Sequence, residues 1–292
     1  MRPATASLPT LRDVIARHGL DARRSLGQHF LLDGNLTDRI ARAAGDLGGV
    51  HVIEVGPGPG GLTRSLLRAG AESVVAVEKD PRCVAAITEL AQAFPARLRV
   101  VADDALAVAT TDLVPAPRKV VANLPYNVAT PLLIRWLREV DGYLSLTLMF
   151  QKEVADRLLA VPTTSEYGRL SVIAQWLCTV RREFNVPREA FTPPPKVAST
   201  VVTLTPRPAP LAPATWTAVE TVTAAAFGQR RKMLRQSLKA IGVRPESAGI
   251  DPTARAEQLT VEQFCALART EAAQRAARKS AEPAVPAGRR RH

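Results

Sequence analysis

Short apolar runs at residues 50–55, 73–77, 98–101 and 119–122 constrain this chain most, because each stops abruptly at a glycine or a polar side chain. The first runs into Gly56-Pro57-Gly58-Pro59-Gly60, the second into Glu78, the third into Asp103-Asp104 and the fourth into Asn123. Helix-like segments at 62–69, 81–93 and 131–140 lie between or after them. Strands alternating with helices in this way predict an α/β fold with a parallel, Rossmann-like sheet. Such sheets bind ligands outside the carboxyl ends of their strands, where these polar residues fall.

The pattern continues with a strand at 145–150, a helix from about residue 152, a buried helix at 170–177 and strands at 182–186 and 197–204. Residues 36, 40, 43, 44 and 47 form an apolar helical stripe. Pro206, Pro208, Pro210 and Pro213 then break any strand ladder and read as a stiff linker. The expected organisation is a Rossmann-like sheet domain with an N-terminal arm at 1–205 and a linker at 206–214. A small helical domain follows at 215–274, and a basic, disordered tail at 275–292.

Composition narrows the partners. A chain of 292 residues that is 46% hydrophobic can bury a core, and its net charge of +12 favours a polyanionic partner. Of its basic residues, 32 are Arg and 7 are Lys, which suits phosphate forks and stacking on bases. Three widely spaced cysteines imply no disulfide framework, and the four histidines do not cluster at metal-ligand spacing. No apolar run approaches membrane-spanning length and no secretory core follows Met1, so a cytoplasmic protein without membrane contact, acting as a monomer, is expected.

The glycine loop alone leaves the chemistry open. Glu54, Gly56, Gly58 and Gly60 let the backbone approach a ligand, and Glu78 is placed to accept ribose hydroxyls. Gly56, Gly58 and Gly61 satisfy a dinucleotide fingerprint equally well. The fourth strand tips the balance, because it ends in Asn123-Leu124-Pro125-Tyr126. The amino nitrogen of adenine is a poor nucleophile. An Asn123 side-chain oxygen and the Leu124 carbonyl can accept its two N–H groups and aim its lone pair, while Tyr126 stacks on the base. A sulfonium methyl needs no strong base, and Asp104 is placed to accept an adenine amino group.

These residues carry a family resemblance. Gly27-Gln28-His29-Phe30-Leu31, the stretch from Glu54 to Thr63, and Asn123-Leu124-Pro125-Tyr126-Asn127 with Thr130-Pro131 resemble the ribosomal RNA adenine N6-dimethyltransferases. Gln151-Lys152-Glu153-Val154, Tyr167-Gly168-Arg169-Leu170-Ser171 and Phe191-Thr192-Pro193-Pro194-Pro195-Lys196-Val197 point to their bacterial small-subunit branch. The resemblance implies S-adenosyl-L-methionine as cofactor and two adjacent adenosines near the 3′ end of small-subunit (16S) rRNA, within an assembling 30S particle, as substrate. It implies that His29 and Leu31 contact the cofactor, Gly56 its methionine part, Glu78 its ribose and Asp104 its adenine. Asn123 would stand at the reacting centre and Phe191 on the far face of the base. The family often has Asn where this chain has His29.

Arg230, Arg231, Lys232, Arg235 and Lys239 are the expected RNA-docking residues, with positions 231, 235 and 239 sharing one face if the segment is a single helix. Competing readings are a large-subunit rRNA adenine methyltransferase of the antibiotic-resistance type, a nicotinamide oxidoreductase, and a non-catalytic RNA-binding assembly factor.

Overall fold

The computed structural model describes residues 8–20 and 29–281, side chains at 279–281 excepted. Gly27 and Gln28 of the first family stretch lie outside the described residues. The chain divides into two compact units, Met1–Leu159 with Leu177–Arg207, and Ala160–Trp176 with Pro208–His292.

The first unit contains, in chain order, α1 (Leu11–His18), β1 (Phe30–Leu31), α2 (Gly34–Ala43), β2 (His51–Val55), α3 (Gly61–Arg68), β3 (Ser73–Glu78), α4 (Pro81–Gln92) and β4 (Leu98–Ala102). It continues with β5 (Arg118–Asn123), α5 (Tyr126–Arg138), β6 (Ser145–Gln151) and α6 (Lys152–Leu159). The unit boundary falls within α7 (Arg169–Leu177), and β7 (Cys178–Val186), β8 (Phe191–Thr192) and β9 (Ser199–Pro206) return the chain to the first unit. Seven strands form one sheet in the order β4-β3-β2-β5-β6-β9-β7. The pairs among β4, β3, β2, β5 and β6 are parallel, and β9 pairs antiparallel with both β6 and β7. The expected Rossmann-like α/β sheet is therefore present. Val52, Ile53, Val74, Ala76, Val120, Val121, Ala122, Leu146 and Leu148 are all buried, on both faces of the sheet. Helices cover both faces, which is why these strands read as continuous apolar runs and not as alternating ones.

Helix α5 places the Asn123–Tyr126 turn. It begins at Tyr126, not at Pro131 as expected, with Pro125 at its N-cap. Pro131 sits in the second turn and removes only the bond its N–H would make to the Asn127 carbonyl. Burial of Ala129, Leu132, Leu133, Trp136 and Leu137 on one stripe outweighs that loss. At the far end, the fully buried Trp136 donates its indole N–H to Thr110 Oγ1 at 3.0 Å, and the same oxygen meets the Tyr143 hydroxyl at 2.6 Å.

The second unit contains α8 (Trp216–Gly228), α9 (Leu234–Ser237) and α10 (Val261–Ala281) besides most of α7. Residues 160–176 were expected in the sheet domain and belong here instead. Trp176 packs against Trp216 with ring centroids 6.4 Å apart and donates its indole N–H to Ala212 O at 2.8 Å. Tyr167 meets Phe227 edge-on at 6.0 Å. The single helix expected through residues 227–235 is also absent. The Leu234 and Arg235 amides donate to Ala254 and Pro252 carbonyls, at 2.8 and 3.1 Å, so the chain turns after Gly228 to bury Leu234. Arg231, Arg235 and Lys239 thus do not repeat along one helix. The tail expected from residue 275 is helical to Ala281, and residues 282–292 lie outside the described residues. No helix among the described residues is long and apolar enough to cross a membrane.

Thr110→Val keeps the shape at the end of α5 but leaves the Trp136 N–H and Tyr143 O–H without their shared partner. Chemical denaturation should show a loss of about 1–3 kcal/mol.

Candidate active site

The order of the central strands creates the site. Crossovers from β2 lead to β3 on one side, while β5 lies on its other side, so the loops after β2 and β5 diverge and leave a crevice. One cavity occupies it, lined by His29, Phe30, Leu31, Glu54, Gly56, Gly58, Glu78, Lys79, Asp103, Asp104 and residues 123–126, among others.

After Val55 the backbone enters the left-handed region at Gly56, with φ +69°, while its N–H still reaches Val77 O at 3.0 Å. Only glycine adopts that conformation cheaply. The loop delivers the chain to the N-terminus of α3, where a Cβ on Gly61 would lie 2.9 Å from the Leu31 carbonyl. The glycines therefore admit a ligand on one side and the N-terminal arm on the other. Beneath them Glu54, 1% exposed, accepts the Thr63 hydroxyl at 2.6 Å. Burial, reinforced by nearby Glu78, pushes its carboxyl up to about 8 against the pull of the Thr63 bond.

Glu78, at the end of β3, is aimed by its own backbone. Its Oε1 accepts the amides of Lys79 and Asp80 at 2.8 and 2.9 Å, leaving Oε2 facing only the Gly58 amide at 3.4 Å. Burial raises this carboxyl, and the three amide bonds oppose the shift. Asp104 accepts the Leu106 amide at 2.9 Å and the Lys79 ammonium at 3.4 Å, which hold it below the usual carboxylate range.

Asn123 closes β5, and its Nδ2 donates to the His29 carbonyl at 3.3 Å. Leu124 is buried, and Tyr126 opens α5 with its hydroxyl 2.7 Å from Ser199 Oγ. Facing them, β1 pairs antiparallel with β8, placing Leu31 opposite Phe191 and Phe30 opposite Thr192. The His29 ring lies 5.6 Å from the Tyr126 ring and 6.4 Å, edge-on, from Phe191.

The cavity thus gathers all the expected cofactor and catalytic residues around it except Gly60, which caps α3 behind it, and Phe191, which is 2% exposed and packs into the core beside it. The expected RNA-docking residues belong to the second unit. Arg230 donates to Thr164 O at 3.2 Å, while Arg231, Lys232, Arg235 and Lys239 are exposed. Sequence reasoning missed Lys79 and Ser199. Lys79 adjoins Glu78 and was findable, whereas Ser199 has no local signal, standing 73 residues from the tyrosine it holds.

The lining tests the expected cofactor. Among the described residues Glu78, Asp103 and Asp104 face the cavity above the neutral Glu54, with Lys79 as the one Lys or Arg in its lining. Such a wall repels a diphosphate and suits a ligand bearing a sulfonium, an ammonium, ribose hydroxyls and an amino group, all of which need acceptors or negative charge. The site fits S-adenosylmethionine better than a dinucleotide.

Comparison with known proteins agrees. The model of the ribosomal RNA adenine dimethylase family matches residues 19–272. A ribosomal RNA small subunit methyltransferase A from Paramagnetospirillum magneticum is 63% identical over 267 residues, 90% of this chain and 95% of that one. Among solved structures, a dimethyladenosine transferase from Plasmodium falciparum aligns with a TM-score of 0.71 at 26% identity, over 82% of this chain and 96% of the other. The 23S rRNA methyltransferase ErmE aligns at 0.61 and 28% identity, over 83% and 99%.

Glu54 holds its proton to about pH 8 in the fold but loses it near 4.5 when exposed. Its contribution to stability is whole below the lower value and declines as pH rises, levelling off above the higher one. In Glu54→Gln that decline should vanish, so the melting temperature of the cofactor-free variant should fall less than that of the wild type between pH 5 and 8.

Proposed function

The chain belongs to the ribosomal RNA adenine dimethylase family, and on that premise we propose that it transfers methyl groups from S-adenosyl-L-methionine to N6 of two adjacent adenosines near the 3′ end of small-subunit rRNA, giving N6,N6-dimethyladenosines. The observation that carries this reading is the Asn123–Tyr126 turn at the rim of an acid-lined, glycine-floored cavity. The working form is a cytoplasmic monomer acting on an assembling 30S particle. The large-subunit alternative has less support, since identity is 63% to a small-subunit relative and 28% to ErmE.

When bound, the cofactor supplies a methyl group on a positively charged sulfur, an excellent leaving group. Gly56 and Gly58 admit its methionine part, Glu78 accepts from its ribose, Asp104 from its adenine, and His29 and Leu31 close over it from the arm. Leu124 O and Asn123 Oδ1 accept the two N–H groups of the target amine, drawing the nitrogen towards tetrahedral geometry. Tyr126, held by Ser199, stacks on the base, worth roughly 1–3 kcal/mol. Phe191, buried beside the cavity, backs the β1–β8 strand pair and does not itself face the base. Positioning of this kind supplies up to ~7–11 kcal/mol without a strong base.

Glu78→Ala should weaken S-adenosylmethionine binding by about tenfold or more in calorimetry. Asn123→Ala should leave that affinity intact and slow methyl transfer to undermethylated small subunits by about 100-fold. Label on cytosine or guanine, or full activity in Asn123→Ala, would overturn the assignment.

In this reading the second unit docks RNA through Arg230, Arg231, Lys232, Arg235 and Lys239, whose exposed members are presented by consecutive turns. Extruding a stacked adenosine costs a few kcal/mol, which phosphate contacts outside the pocket help to offset. A triple Arg231/Arg235/Lys239→Ala variant should bind subunits more weakly, with the salt slope flattened by roughly 0.7 per lost single-strand contact. Unchanged affinity and slope would exclude this docking surface.

A further inference from the structure

Three pieces of chain far apart in sequence meet at His29. Its backbone carbonyl can only accept a hydrogen bond, so the Asn123 atom 3.3 Å away must be the amide nitrogen. That choice turns Asn123 Oδ1 away from His29. The amide is then an acceptor for an incoming amine, whereas the flipped amide would present two N–H donors to a group that is itself a donor. On the side chain, Nδ1 lies 2.8 Å from the Pro193 carbonyl and must carry the hydrogen, for the same reason. Pro193 directly follows β8, and His29 directly precedes β1, the strand with which β8 pairs. The imidazole therefore ties off the end of that short ladder. Its ring lies 5.6 Å from Tyr126, tilted by 30°, and 6.4 Å from Phe191, nearly perpendicular at 79°.

We infer that His29 is a positioning residue for the target base: its imidazole, anchored on Pro193 and packed against Tyr126, holds the arm so that the His29 carbonyl keeps Asn123 oriented as an acceptor. The inference rests on the reading of this site as an adenosine methyltransferase, and goes beyond a role for His29 in holding the cofactor. A two-residue strand pair is weak by itself, and an anchor at its end sets where the arm lies. Because the arm carries the carbonyl that orients Asn123, its displacement is felt at the nitrogen that reacts.

The test compares His29→Ala with His29→Asn in the full chain. An asparagine amide can donate to Pro193 O much as Nδ1 does, while alanine cannot. Single-turnover methyl transfer to undermethylated small subunits, calorimetric affinity for S-adenosylmethionine and melting temperature are measured for both variants and the wild type. At saturating S-adenosylmethionine His29→Ala should slow transfer by about 10–100-fold, whatever affinity is lost with the arm's own contact to the cofactor, and His29→Asn should recover most of the rate. A His29→Ala variant that binds the cofactor weakly but transfers at the wild-type rate when saturated would overturn the proposal, as would one with an unchanged rate and affinity. Equal slowing in both variants with a matching fall in melting temperature would reduce His29 to a packing role and also overturn it. Failure of the wild type to methylate adenosine in the same assay would instead remove the functional reading itself.

Discussion

Because β2 bonds in parallel to β3 on one side and to β5 on the other, its carboxyl end lies where the two halves of the sheet part. Loops leaving neighbouring strands diverge there, and backbone amides and carbonyls are left free to face a ligand. Everything chemical in the first unit is arranged around that gap. The Gly56 turn fills one wall, Glu78 and Asp104 extend it along β3 and β4, and Asn123 rises from β5 opposite. Moving any of these strands by one register position would turn its terminal side chain to the other face of the sheet, which is why the buried valines and leucines matter to catalysis as much as to stability.

The cavity is acidic inside a chain of net charge +12. The two signs serve different partners. Positive charge spread over the surface favours a polyanion, whereas carboxylates in the crevice favour a cationic cofactor and disfavour phosphates entering it. Glu54 is the exception: sealed beneath the glycines with one hydroxyl for company, it is more stable neutral than charged. Folding and protonation are therefore coupled at this carboxyl.

The N-terminal arm completes the other wall. Strand β1 pairs with β8, and His29 touches both the Asn123 turn and the Pro193 loop, joining segments 94 and 164 residues distant along the chain. One residue of the arm thus holds both the Asn123 turn and the loop after β8. In the second unit, packing decides more than propensity. Leu234 is buried by turning the chain back on residues 252–254, and the basic side chains of 231–239 are displayed on turns as a consequence.

The apolar runs by themselves determined the parallel sheet, since a strand buried on both faces must be apolar throughout. The polar residues that stop those runs determined the lining of the cavity and the Asn123 turn. Local chemistry also placed Glu78 and Asp104, because a strand end in a parallel sheet leaves few other places for a carboxylate to go. Tertiary structure alone decided that α5 starts at Tyr126 in spite of Pro131, because five buried side chains on one stripe outweigh a single lost hydrogen bond. It alone put residues 160–176 with the second unit, through tryptophan and tyrosine contacts that no local pattern encodes. It also broke the expected basic helix at Gly228, buried Phe191, and set His29 against Pro193 and Tyr126. Each of these depends on a partner distant in the chain, and the energy of such a contact is absent from any window of sequence short enough to show a period.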